Sequence, residues 1–179
     1  MVREFFVLAY DDREDLESVS DYEMGDFDLT RLWTGERFFG RIPRSVRLWV
    51  EKGKPCDYLS NPISWKIVSE RFWTLIRPYV RRQVQTLSVP LYYEETRKPV
   101  RGYKLLNPLC CVSAVRRKSD AHMQDLRLLI DRIPPNVHLF RLAESPTRVL
   151  MSDFLLSKIR GKGLTGLALL RTESISGRR

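Results

Sequence analysis

The chain has 179 residues, 43% of them hydrophobic, with 4 Trp, 7 Tyr and 8 Phe. That suits one well-cored domain, and no apolar run approaches the roughly 20 residues of a membrane span. The net charge is +9, but residues 11–28 (DDREDLESVSDYEMGDFD) carry nine acids and one base against thirty bases and thirteen acids elsewhere. The balance therefore places one acidic segment on a basic body.

In chain order, 3–10 (REFFVLAY) reads as a first strand of β-prone residues. Its one base and early acids do not make a secretory signal, so the expected location is cytoplasmic. The acidic stretch 11–28 reads as a loop, because Gly25 and closely spaced acids disfavour a packed element. Residues 29–42 are mixed, broken at Gly35 and Gly40 and ended by Pro43. Residues 45–51 alternate: Val46, Leu48 and Val50 on one face, Arg47, Trp49 and Glu51 on the other, a half-buried strand. Turn-rich 56–62 leads to the apolar 66–68. Then Ser69 can accept an orphan N–H, Glu70 sits at the positive end of a helix dipole, and Phe72, Trp73 and Ile76 form a stripe. Pro78 should break or end that helix.

Further on, 84–93 reads as one strand with Pro90 marking an edge or bulge. Residues 94–102 form a charged, hairpin-like connection. Residues 103–115 read as a strand interrupted at Asn107-Pro108. A polar excursion follows over 116–124, then an apolar 126–133 that fits a strand or a short helix, and a strand over 137–142. Residues 148–151 are a strand before a second capped helix, with Ser152 as the cap, Asp153 behind it, and Phe154, Leu155, Leu156 and Ile159 as the buried stripe. Gly161 and Gly163 end it. Residues 164–170 are apolar enough for a buried strand, and 173–179 read as a disordered tail. The expected class is α+β: one domain over 1–172, with a mixed, largely antiparallel sheet and two main amphipathic helices.

Laying Ser69 on Ser152 aligns KIVSERFWTLIR with VLMSDFLLSKIR. An apolar pair, a capping serine, an acid, an apolar stripe and a terminal arginine recur in order. Internal duplication and chance recurrence of capping signals both account for this.

The residues that usually do chemistry are scarce. His122 and His138 stand apart, and Cys56, Cys110 and Cys111 match no zinc spacing, so neither a metal nor a cofactor is expected. The odd cysteine count with an adjacent pair argues against a disulfide framework and for a reducing compartment, and Cys110 and Cys111, in an apolar run, read as small core-filling residues. GKGLTG follows a helix instead of opening one, which does not suit a phosphate loop. No serine lies in a nucleophile elbow. The chain is therefore read as a non-enzyme. Two surfaces remain. Asp11, Asp12, Glu14, Asp15, Glu17, Asp21 and Glu23 could attract a basic partner. Arg81, Arg82, Arg116 and Arg117, with Tyr79 nearby, form the alternative, a nucleic-acid-associated surface, against which stands the plainer reading of solvated basic faces.

Several segments together resemble a family. These are DYLSNP (57–62), IVSERF (67–72), YKLLN (103–107), Ser119 in a KS pair, Phe140-Arg141, Ser152 before its helix and LTG (164–166). The chain over about 45–170 resembles bacterial immunity proteins of polymorphic toxin systems, the group typified by a myxobacterial immunity-protein domain. The resemblance implies a small cytoplasmic protein that binds and blocks a cognate toxin, without catalysis or cofactor. It brings no catalytic residues. Toxins of such systems are often nucleases with basic grooves, so the acidic segment could act there as a phosphate mimic. The segment lies outside the resemblance, and a +9 chain departs from the acidic character common in nuclease inhibitors.

Overall fold

A computed structural model describes residues 3–11, 13, 15–116 and 126–175. The chain is α+β, built on two sheets that share a core with two helices. The first sheet holds four antiparallel strands in the order β4 (Tyr58–Leu59), β5 (Lys66–Ser69), β8 (Tyr103–Pro108) and β6 (Val84–Leu87). The second has five, in the order β13 (Leu167–Arg171), β1 (Phe5–Tyr10), β12 (Ser145–Ser152), β11 (Leu139–Leu142) and β9 (Cys111–Val112), antiparallel except for the β11–β9 pair. Helices α1 (Glu70–Val80) and α2 (Asp153–Ile159) follow β5 and β12 directly and pack on each other. Phe72, Trp73, Ile76 and Val80 of α1 meet Leu155, Leu156 and Ile159 of α2 in a core that also takes Val68, Leu106, Leu139, Val149 and Met151 from the sheets.

The repeat seen in the sequence extends through the whole of both sheets. Lay β4, β5, α1, β6 and β8 on β11, β12, α2, β13 and β1, and the registers agree. Tyr58↔Val68 and Leu59↔Ile67 match Leu139↔Met151 and Phe140↔Leu150. Ser69↔Tyr103 matches Phe5↔Ser152, and Val84↔Pro108 matches Tyr10↔Leu167. The caps agree as well. Ser69 accepts from Phe72 N at 3.0 Å and Ser152 from Leu155 N at 3.2 Å. Each cap is itself held by the residue before the neighbouring strand: Ser69 Oγ donates to Asp57 at 2.6 Å, and Ser152 Oγ lies 3.0 Å from His138 Nδ1. The structure therefore contains two copies of one ββαββ arrangement, and β1 supplies the fourth strand of the second copy. The copies also tie into one another. Asp57 N and Tyr58 N donate to Thr165 O, while His138 N and Leu139 N donate to Gln83 Oε1.

Smaller sheets cover the outer faces. β3 (Arg47–Glu51) lies between β2 (Ser18–Glu23) and β7 (Leu91–Tyr93), and its Leu48 and Val50 pack with Leu59, Trp65, Ile67 and Leu105 of the four-stranded sheet. β10 (Arg127–Leu129) runs parallel to β14 (Glu173–Ile175), and Leu128 packs with Phe5, Val7, Phe140 and Leu150.

Several sequence expectations are corrected here. The acidic stretch is not a loop throughout, because Ser18–Glu23 takes the edge of a sheet against β3 and buries Val19. Pro78 does not end α1. Proline's φ suits a helix, the cost is one backbone bond, and Val80 is fully buried two residues further on. Residues 84–93 divide at Ser88–Pro90 into strands of different sheets. Trp49 is buried instead of facing solvent with Arg47 and Glu51; its indole N–H donates to Glu23 and Arg97 stacks over its ring at 4.1 Å. Phe154, expected in the core, is 41% exposed. The stretch 126–133 is both candidates in turn, a strand and then a 3-10 turn (Ile130–Arg132). Glu173–Ile175, placed in a disordered tail, is a strand whose Glu173 pairs with Arg127 at 2.8 Å. The expected buried strand at 164–170 is an edge strand, partly open to solvent.

Candidate partner-binding surface

The acidic segment separates into groups with different fates. Glu17 is only 3% exposed. Its two carboxylate oxygens accept from the Tyr93 hydroxyl at 3.0 Å and the Tyr103 hydroxyl at 3.1 Å. Burial, then Glu17, pushes the Tyr93 hydroxyl up. Burial pushes Cys56 up to about 11, with Glu17 adding to it, so that thiol is uncharged and unreactive near neutral pH. Glu17 is thus an internal clamp between the outer and inner sheets, and it leaves the set of partner-facing acids. Asp11 is paired with Arg13 at 2.8 Å and Asp15 with Lys54 at 2.8 Å. The hydrogen bond from Lys54 draws the Asp15 carboxyl below its ordinary value. Asp12 and Glu14 lie outside the described residues.

What remains accessible is on β2 and the turn behind it. Asp21 and Glu23 are exposed, as are Asp26 and Asp28. Asp21 turns back onto Tyr22 N at 2.7 Å. Glu23 reaches Trp49 Nε1 at 3.1 Å and, more loosely, Arg47 at 3.5 Å with both side chains half-exposed, a geometry in which ion pairing is weak. Glu94 joins the group through Ser20, whose hydroxyl donates to it at 2.9 Å. Tyr22, 39% exposed, is the one large aromatic on this strand. The edge therefore combines fixed backbone, several accessible carboxylates and an aromatic ring. Asp26 and Asp28, which sequence reasoning left out of its partner-facing set, belong to the group. The signal that could have found them is the acidic stretch itself, since both lie within 11–28.

Below the acidic segment lies a cleft of about 550 Å³. Asp11, Arg13, Glu17, Glu51, Lys52 and Ser60 contribute to its lining. Charges of both signs alternate there. Among the described residues, no group of three or more His, Cys, Asp and Glu is placed to hold a metal ion. His138 is engaged with Ser152, and burial, then Arg3, lowers its pKa; His122 lies outside the described residues.

The arginines of the alternative surface are only partly assembled. Arg81 and Arg82 are exposed where α1 ends, and Arg116 is exposed after β9. Among the described residues, no hydrogen bond, ion pair or ring contact links Arg116 to the other two. Arg117 lies outside the described residues. The nearby Tyr79 ring is already used. The Phe154 ring sits edge-on at 5.5 Å, and Lys158 Nζ lies 5.4 Å from the Tyr79 centroid.

Two buried cations face the shared core. Lys66 is 5% exposed and lies 5.5 Å from the Tyr10 ring centroid. Arg141 donates to Leu32 O at 2.6 Å and Pro146 O at 2.7 Å, while its Nε is buried without a partner among the described residues. Burial, then the Arg141 charge, pulls the Lys66 amine down to about 7, and burial pulls Arg141 to about 10.

Among the described residues, no helix is long and apolar enough to cross a membrane. Compared with known proteins, the chain matches no family model and no curated protein.

Proposed function

We propose that the protein is an immunity-type inhibitor that acts in the cytoplasm, binding a cognate toxin and neutralising it by occlusion, and that a basic face of the toxin docks on β2. The observation that carries this reading is the exposed acidic edge, where Asp21, Glu23, Asp26 and Asp28 reach solvent and, among the described residues, only Glu23 has a cation partner, the loose contact to Arg47, on a chain that is otherwise basic. A concentrated field of one sign raises encounter rates with a basic partner and orients it. The family resemblance supports the same reading. Its segments lie on elements of both copies: DYLSNP covers β4, IVSERF the β5–α1 junction, YKLLN the strand β8, and LTG the backbone that receives Asp57 and Tyr58.

The test has two stages. The toxin domain encoded beside this chain is expressed in a bacterial host with and without it, and growth is followed. Rescue is expected; equal killing in both cultures would refute the immunity reading. The association rate of the purified pair is then measured against ionic strength. Asp21→Asn, Glu23→Gln, Asp26→Asn and Asp28→Asn together should slow association about ten-fold at low salt and flatten its salt dependence. Unchanged rates would remove β2 from the interface while leaving neutralisation intact.

A further inference from the structure

The two copies differ around their outermost strands. In the first copy the outermost strand, β6, is covered. Gln85 holds the backbone of Phe38 from both sides, accepting from Phe38 N at 2.9 Å and donating to Phe38 O at 2.7 Å. The final turn of α1 brings Val80 down beside Val84, both buried. In the second copy the equivalent strand is β13, and among the described residues neither cover is present. α2 stops at Ile159, and Gly163 stands at the position equivalent to Val80. The result is an apolar groove of about 410 Å³ whose lining includes Phe6, Leu156, Ile159, Leu164, Leu167 and Leu169. Alongside it, β13 pairs with β1 on one side and, among the described residues, with no strand on the other. Leu170 is 53% exposed.

The LALL run of β13 carries no central lysine, proline or bulge, the devices by which sheets ordinarily block further pairing. An open edge with pockets for alternate side chains is the arrangement that accepts an added strand. Charge selects the occupant. Arg160 lines the groove and Lys162 lies in the turn between its Gly161 and Gly163; both are exposed and, among the described residues, without a carboxylate partner, while Arg171, also exposed, pairs with Glu4. A second copy of the chain would bring the same cations to the same rim. We propose that the β13 edge and its groove form a second docking surface, separate from β2, for an extended segment of a partner protein that is apolar at alternate positions and acidic at its flanks.

The probe is a fluorescein-labelled nine-residue peptide with Val-Ser-Leu-Ser-Val at its centre and two aspartates at each end. A counterpart carries lysines in place of the aspartates. Anisotropy with the full chain should give saturable binding of the acidic peptide, at least ten-fold tighter than of the lysine peptide. Amide exchange at 167–171 should slow on binding. Arg160→Glu with Lys162→Glu, both on exposed positions, should reverse the preference between peptides, and Leu169→Glu should weaken the acidic peptide at least ten-fold. No saturable binding, equal affinities, unaltered exchange at 167–171 or a preference indifferent to the rim reversal would each overturn the proposal. So would a dimer in sedimentation that disappears with Leu170→Lys, which would assign the edge to a second copy. None of these outcomes bears on growth rescue by the toxin-neutralising activity.

Discussion

Replacing Lys66 with methionine should stabilise the protein, and by an amount that depends on pH in a defined way. The amine is buried against Tyr10 and near Arg141, and its pKa falls from 10.5 to about 7. A lysine whose folded pKa is lowered loses its proton first in the folded state. Between about pH 7 and 10.5 the unfolded chain holds a proton that the folded chain does not, so this group makes stability rise with pH across that window. Below pH 7 both states are protonated and the full penalty applies. At about 1.4 kcal/mol per unit the shift corresponds to roughly 5 kcal/mol, which relaxation and water penetration reduce to about 2–4 kcal/mol. Loss of the amine's attraction to the Tyr10 ring takes back about 1 kcal/mol. Methionine fills similar space without a charge. Urea unfolding followed by tryptophan fluorescence, at pH values from 6 to 9.5, measures the difference between Lys66→Met and the parent. The variant should lead by about 1–3 kcal/mol at pH 6, and the lead should shrink as pH rises above 7. Taking the difference removes the other titrations, including Cys56, which pull the raw profiles the opposite way at high pH. Parallel profiles, or a variant less stable at pH 6, would show that the amine is not desolvated and would refute the reasoning.

Gly166→Ala should cost about 3 kcal/mol or more, read as a lowered thermal midpoint, because a Cβ there would lie 2.4 Å from Tyr58 O on a backbone with φ of +76°. Ser69→Ala and Ser152→Ala should each lose about 1 kcal/mol in urea titrations; since the two caps hold equivalent positions, their losses should agree closely. Glu17→Gln should destabilise by about 1–3 kcal/mol, because one amide replaces two charged acceptors under Tyr93 and Tyr103, while leaving toxin association rates unchanged, since the side chain is internal.

The helices were legible because their signals are local. A capping serine, an acid behind it and a stripe at helical spacing are written in adjacent residues, and both α1 and α2 begin where those residues stand. The strand edges were not. Whether Leu170 is buried depends on what lies beyond β13, and whether 18–23 is loop or strand depends on the distant β3. Trp49 shows the same limit: alternation put it with Arg47 and Glu51, but Arg97 and Glu23, both remote in sequence, close over it. For the candidate site, the sequence located the acidic stretch but could not sort it. Glu17 differs from Asp21 only through Tyr93 and Tyr103, which arrive from other strands. The repeat was visible over twelve residues around each serine, because only there do both copies need the same side chains. Elsewhere the copies share register and backbone bonds, which many sequences satisfy.

The position of β1 has a consequence for how the molecule is made. The first copy is continuous, so it can assemble as soon as 58–108 has left the ribosome. The second is not: its interior strand, FFVLAY, is synthesised well before β12 and β13, with which it pairs. Through most of translation that strand is apolar, β-prone and unmatched, the state in which nascent chains associate wrongly. Contacts of such long sequence separation also slow folding. The finished first copy then offers α1 as a surface on which α2 can form. Moving β1 to follow β13, by circular permutation within the acidic segment, should speed refolding and reduce aggregation during it.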